Sequence, residues 1–442
     1  MKLFYLRKIV FRQSHLSANV KKLCKLISKN MLKRSGNNCL NTFFYTLIFI
    51  LVFSGAFGRN HHIASQPATF LIRGSHLESS KAKIKSGDKS LTQALATLID
   101  KANNSLTKGP YSVTYKDKVP PSGDKRDYMS VGPYWWPDSS KADGLPYIRK
   151  DGQVNPERYS IKDASYHGAL CEDVYHLGLA WYFTNDKKYA LHAANLLKVW
   201  FLDNETRMNP NLNFGQAIPG IVDGRGIGLI DTHNLAKLID GIQLLKDSGH
   251  LPASDYKNIQ NWYKEFLVWM RTSPIGVDEA DEFNNHGTWY DVQTVSIALF
   301  TEQPDLAKKI LNEQTKKRIE SQLKEDGSQP HELARTLSWN YSLMNLKGFF
   351  ELASLAENVD EDLWNYVSPG GKSLKAAFVW MLPFAERKME WKARQIKPIQ
   401  YEGFWSLART VADKYPNVNI AESLKFGKTN DNSLLLLTNR IF

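Results

Sequence analysis

The chain is 442 residues long, 43% hydrophobic and 12% aromatic, with a formal charge of +12. A chain of that length and apolar content buries a large core, which excludes bulk disorder. Ten of its 57 basic residues and none of its acidic ones fall within residues 1–58, which leaves 47 against 45 in the body, so the charge does not point to a nucleic-acid partner.

At the N-terminus a cationic stretch runs into an apolar core, Phe43 to Phe53, and then into Ser54, Gly55, Ala56 and Gly58. This is the pattern of a signal peptide, and the apolar stretch is shorter than the roughly 20 residues of a spanning helix. Residues 1–58 therefore read as a targeting leader, and a periplasmic or secreted protein without a stable membrane anchor is expected after cleavage. An uncleaved anchor is the alternative, and a start at Met31 would give a leader of more ordinary length. Cys24 and Cys39 lie in the leader, leaving only Cys171, so neither a disulfide framework nor a Cys-based metal site is expected. No ligand set demands a metal or another cofactor.

Residues 59–90 are polar and mixed and read as a linker or extension into a single domain, 91–442. From Tyr111 to Pro156 the density of Pro, Gly and aromatic residues precludes long helices or strands, which predicts an ordered loop region. After residue 160 the texture becomes helical, with Leu170, Val174, Leu177 and Trp181 recurring at spacings of three and four. Comparable segments follow near 231–247, 253–271, 288–302, 304–323, 337–357 and 371–386, separated by short breaks such as TNDKK, DSGHLPAS and TEQPD. Runs of alternating Val, Ile and Thr that would build a substantial sheet are missing. The predicted class is mainly α, with antiparallel helical hairpins in series. No short sequence repeat marks a solenoid, so the favoured architecture is an (α/α) toroid, an incomplete barrel.

Several motifs bear on function. GPYWWPD sets Tyr134, Trp135 and Trp136 between two prolines, and adjacent indoles there can anchor the loop or offer a stacking face to a sugar ring. GRGIGLIDTHN lacks the GxxxxGK[ST] pattern of a phosphate loop, and its glycines instead suit close backbone approach with Arg225 presented to an anion. Asp231, Thr232 and Asn234 are placed to cap the helix that follows. His167 and His176, nine positions apart, fall on opposite sides of one helix and do not share a metal, though His167 can reach a cleft. In DEFNNHGTWYD, residues 281–291, Asn284, Asn285 and His286 stand where a loop enters a helix, and HELARTLSWNYSL adds Glu332, Arg335, Trp339 and Tyr341.

These motifs, with PPSGDKRDYMS and GLPYIRKDGQVNPE, occur in an order that resembles the alginate lyase domain of helical-toroid polysaccharide lyases, over roughly residues 110–390. Among these the sequence is most similar to polysaccharide lyase family 38, whose members act on glucuronan and alginate-type polyuronates. The six-residue spacing of Arg335 and Tyr341 favours that branch over family 5, where the spacing is seven. The resemblance implies a lyase that cleaves an anionic 1,4-linked polyuronate by β-elimination, with Asn285, His286, Arg335 and Tyr341 at the catalytic positions. Substrate contacts are then expected from Tyr134, Trp135, Trp136, His167, Arg225, Asn284, Trp289 and Glu332, with Trp289 either packing or lining the cleft.

The implied chemistry is consistent with those residue types. The proton at C5 is weakly acidic while the adjacent carboxylate is charged, so Asn285 and Arg335 would stabilise the enolate-like intermediate. Tyr341, with a nearby cation favouring its phenolate, would take the C5 proton and return one to the leaving oxygen wherever both lie on the same side of the ring. For guluronate, where they lie on opposite faces, His286 would be the second base. Two rivals remain at this level: a glycoside hydrolase using two of Asp281, Glu282, Asp291 and Glu332, and a polyuronate-binding protein without turnover. Six residues of uninterrupted helix turn about 600°, so Arg335 and Tyr341 converge only if the helix begins after Arg335 or is irregular there.

Overall fold

A computed structural model describes residues 67–427 and 433–438, all within one compact unit, and the leader with its signal-peptide pattern lies outside the described residues. The N-terminal helices α1 (Gly74–Lys85) and α2 (Lys89–Ser105) precede the ordered loop region. Four helices then form the inner wall: α3 (Asp163–Thr184), α5 (Leu235–Leu245), α8 (Asn285–Phe300) and α12 (Ser338–Ala356), each packed on the next. Between them lie α4 (Lys187–Phe201), α6 (Ala253–Thr272), α7 (Pro274–Ala280), α9 (Pro304–Ile310) and α10 (Lys316–Gln322). The one-turn helix α11 (Pro330–Leu333) precedes α12, and α13 (Leu374–Ala385) and α14 (Glu402–Thr410) follow it. The expected toroid of helical hairpins is the fold observed.

Local chemistry sets the helix boundaries. The Asp186 carboxylate accepts from the Lys188 amide at the start of α4, one residue after Asn185 ends α3 in the left-handed conformation. Of the residues in α8 only His286 is not buried, which makes that helix a central strut rather than an amphipathic surface element. The π-helical turn Leu311–Thr315 between α9 and α10 brings Thr315 and Arg318 onto the buried Asp291. The predicted helical segments fall on α5, α6, α8, α9 with α10, α12 and α13. The periodicity reading does not anticipate α1 or most of α2. Within the stretch read as a linker or extension, residues 70–72 are tied to the helical body, because Asp240, wholly buried on α5, accepts the amides of Phe70, Leu71 and Ile72.

The loop region is ordered by a buried lysine. Lys116 Nζ donates to the carbonyls of Val113, Lys125 and Asp127 and forms a 2.8 Å ion pair with Asp163 at the start of α3. Two small sheets extend from this anchor. Strand β1 (Met129–Val131) runs parallel to β4 (Phe214–Ala217), and β2 (Trp135–Trp136) pairs antiparallel with β3 (Ile148–Arg149), Trp135 opposite Arg149. The motifs GPYWWPD and GLPYIRKDG are thus two arms of one hairpin.

Candidate active site

The site lies where the β2–β3 hairpin, the start of α8 and the start of α12 meet. The chain breaks between α11 and α12, and Arg335 sits in that break, while Tyr341 begins the regular ladder with its amide on the Leu337 carbonyl. The break is strapped by Ser338 N–H to the Arg394 carbonyl and Ile396 N–H to the Thr336 carbonyl. Helix phase therefore does not separate the two residues, and the guanidinium carbon of Arg335 lies 3.8 Å from the centre of the Tyr341 ring. Arg335 Nη2 also donates to Asp151 Oδ1 at 2.9 Å, and the Thr336 hydroxyl and amide fill Asp151 Oδ2. Burial would raise the Asp151 carboxyl, but Arg335 and Thr336 outweigh it and bring it to about 2.

Tyr341 Oη is 2.7 Å from Tyr134 Oη. Burial pushes the Tyr341 phenol far above its ordinary value and Tyr134 adds to this, with Arg335 opposing. Arg335 thus favours the phenolate as expected, but burial outweighs it and leaves the phenol harder to ionise than a free tyrosine. Trp135 and Trp136 stand beside Tyr134. Arg225 lies over Trp135 at 5.8 Å and Lys150 over Trp136 at 5.1 Å, and Trp136 Nε1 donates to the Gln153 carbonyl. Gly132 makes room for this stack, since a Cβ there would sit 2.6 Å from Trp135 Cδ1 and 2.9 Å from Arg225 Nη2. Arg225 is held by the Gln216 carbonyl and side chain, and its burial, with Arg149 nearby, disfavours the charge that an anion would restore.

On the other side the Asn284 side chain caps α8 by accepting the His286 amide at 2.8 Å. Asn285 is 1% exposed and so is Glu332, whose carboxylate accepts the Asn285 amide at 2.7 Å and Nδ2 at 2.9 and 3.1 Å. One N–H shared between two oxygens of a carboxylate leaves the second Nδ2 hydrogen for another acceptor. His286 Nδ1 meets the fully buried Glu279 Oε1 at 2.9 Å. Burial works against charge on the imidazole, but Glu279, with Glu282 and Glu332 further off, outweighs it and raises its pKa. Glu279 Oε2 has no hydrogen-bond partner among the described residues.

Five residues need a different reading. His167 is 5% exposed, rests against Cys171 and Trp200, and is kept neutral by burial at a pKa of about 3, so it packs the wall instead of reaching the cleft. Trp289 is 1% exposed and packs edge-on against His233 inside the ring, so it belongs to the core. Glu332 and Asn284 are occupied by Asn285 and by the helix cap, which makes them supports of the site. Asp231 does not cap α5 but accepts from Tyr128, Ser130 and Gln216. The site also gains Asp151 and Glu279, which motif reading passes over. Asp151 lies within the quoted GLPYIRKDGQVNPE, whereas a chain break separates Glu279 from His286, so helical spacing could not pair them. Of the acids considered for hydrolysis, Asp291 is bound by Arg318 and Glu332 by Asn285.

Among the described residues no group of three or more His, Cys, Asp or Glu side chains is placed to hold a metal ion, and no helix is long and apolar enough to cross a membrane. The profile of the alginate lyase family matches residues 112–391. The crystal structure of an alginate lyase from Bacteroides ovatus superposes with a TM-score of 0.81 at 38% identity, covering 84% of this chain and 99% of that one. Alginate lyase A1-III from Sphingomonas species A1 gives 0.56 at 16% identity over 86% of this chain and 98% of that one, a likeness of fold. No curated protein sequence matches the chain.

Proposed function

The chain belongs to the alginate lyase family and is a polysaccharide lyase acting on polyuronates, and from that premise we propose that it cleaves a 1,4-linked mannuronate- or glucuronate-type polymer with Tyr341 as base and acid. The observation that carries this reading is Tyr341, hydrogen-bonded to Tyr134 and covered by Arg335, which follows by three residues the Glu332 that holds Asn285.

In the proposed reaction the substrate carboxylate enters between His286, the second Nδ2 hydrogen of Asn285 and Arg335. Glu279 fixes Nδ1–H of His286, so a protonated ring presents Nε2–H to a carboxylate oxygen. With that charge compensated, ionised Tyr341 removes the C5 proton and the C5–H electron pair moves into the C5–C6 bond as the enolate forms. The enolate then expels O4, the C4–C5 double bond forms, and the Tyr341 proton passes to O4. The base is regenerated without net proton uptake. Because Tyr341 serves both steps from one side, this arrangement suits uronates whose H5 and O4 lie on the same side. A protonated His286 is a neutraliser rather than a second base, which disfavours guluronate.

The basic and apolar leader supports export to the periplasm or beyond as part of this proposal. Near-ultraviolet absorbance should appear with polymannuronate or glucuronan, and less with polyguluronate. Folded protein that yields no absorbing product from any polyuronate would overturn the reading, and new reducing ends without absorbance would indicate hydrolysis instead.

A further inference from the structure

Two residues before Asn285 the chain turns outward at Phe283, which is 61% exposed, and no other large hydrophobic side chain among the described residues is more so. The turn that carries it is not loose. Arg318, paired with the buried Asp291, donates Nη2 to the Ala280 carbonyl at 2.7 Å and Nη1 to the Glu282 carbonyl at 2.8 Å. Gln322 Nε2 holds the Asn284 carbonyl at 3.0 Å, and the Glu282 amide donates to the Glu279 carbonyl. The guanidinium passes across Gly287, where a Cβ would come within 2.1 Å of Nη1, so this bracing requires glycine there. Phe283 is thus held out in a defined place.

Its ring packs on His331, with centroids 4.8 Å apart and the rings edge to face. His331 immediately precedes Glu332, and Glu332 holds Asn285. A line of contacts therefore runs from Trp136 and Tyr134 through Tyr341 and Arg335 to Glu332 and Asn285, with the Phe283–His331 pair at its far end. The open ring offers a flat apolar surface beside a polar catalytic centre, as a pyranose offers a face of C–H bonds beside its hydroxyls. Asp281 and Glu282 on the same turn disfavour a carboxylate lying against them, so the bound ring would turn its carboxylate toward His331.

We propose that Phe283, braced by His331, is the stacking platform of a subsite for a uronate ring, next to the catalytic centre and on the side away from Tyr134–Trp136. This rests on the polyuronate lyase reading. Phe283→Ala should raise KM for long polymer about five- to tenfold with kcat retained, and the effect should vanish on oligomers too short to span the subsite. Phe283→Trp should retain wild-type KM, and the melting temperature of Phe283→Ala should equal that of wild type because the ring packs against little. An unchanged KM on long polymer, or an equal change at every chain length, overturns the proposal. A second arm measures polymer affinity by titration in the Tyr341→Phe background, with and without Phe283→Ala. Loss of affinity there upholds the subsite even if wild type makes no absorbing product, whereas unchanged affinity overturns it even if wild type is an active lyase.

Discussion

The Arg335 guanidinium carbon lies over the Tyr341 ring, 3.8 Å from its centre, while its Nη2 is held by Asp151. The guanidinium is thus shared between the phenol ring and a carboxylate partner. Removing the phenol isolates its chemical contribution from binding. Tyr341→Phe should lower kcat by about a hundred- to ten-thousand-fold, with polymer affinity retained. Tyr134→Phe keeps the base and removes only the 2.7 Å hydrogen bond, so a loss of about tenfold is expected. Steady-state kinetics and equilibrium titration of both variants separate the two effects.

The pH–rate profile should be bell-shaped with its optimum on the alkaline side of neutrality. The active form pairs an ionised Tyr341, which burial holds above its ordinary value, with a protonated His286, which Glu279 raises but which stays the weaker base, so the rising limb follows His286 and the falling limb Tyr341. Glu279→Gln should move the rising limb to lower pH and lower the maximal rate. A profile unchanged by that substitution would remove His286 protonation from the mechanism.

Asp151→Asn should leave Arg335 mobile and cut kcat more than it raises KM, by about tenfold or more. The same carboxylate makes a pH-dependent contribution to stability. Its folded pKa, about 2, lies below the unfolded aspartate value, so the stability it adds is present above the unfolded value and is lost as pH falls toward 2. Acid denaturation of wild type and Asp151→Asn should therefore converge at low pH.

Glu332 accepts the Asn285 backbone and side-chain amides where neither residue meets solvent. Glu332→Ala should destabilise the fold by about 1–3 kcal/mol through the donors left unpaired, and lower activity through displacement of Asn285. Glu332→Gln keeps one acceptor and should recover part of both. Thermal melts beside kinetics distinguish this from a direct substrate contact, which would affect activity alone. His167→Leu provides the contrast: a wall residue, its loss should alter the melting temperature and leave KM unchanged.

The long helices were legible because apolar patterning over long segments reflects burial directly, and α5, α6, α8 and α12 fall within a few residues of the expected spans. Of the motif residues, Tyr134, Tyr341 and Arg335 are in contact, and Asn285 reaches Glu332 three residues before Arg335. What sequence did not convey was which polar groups serve one another across breaks. Asp151 reaches Arg335 from 184 positions away, and Glu279 reaches His286 from another helix. His167 and Trp289 illustrate the opposite error: polar or amphipathic side chains read as cleft residues are enclosed by the ring wall, because helical phase says which face a residue occupies but not how tightly the neighbouring helix closes on it.

The break between α11 and α12 separates two kinds of length change in this part of the chain. An extra residue placed before Ser338 would enter irregular backbone, where the strap to Arg394 and Ile396 can shift while Tyr341 keeps its phase on α12. The same insertion after Ser338 would rotate Tyr341 by about 100° and carry its hydroxyl away from Tyr134. Viable length variants of this enzyme should therefore accumulate on the Arg335 side of that boundary, and activity should tolerate them there alone.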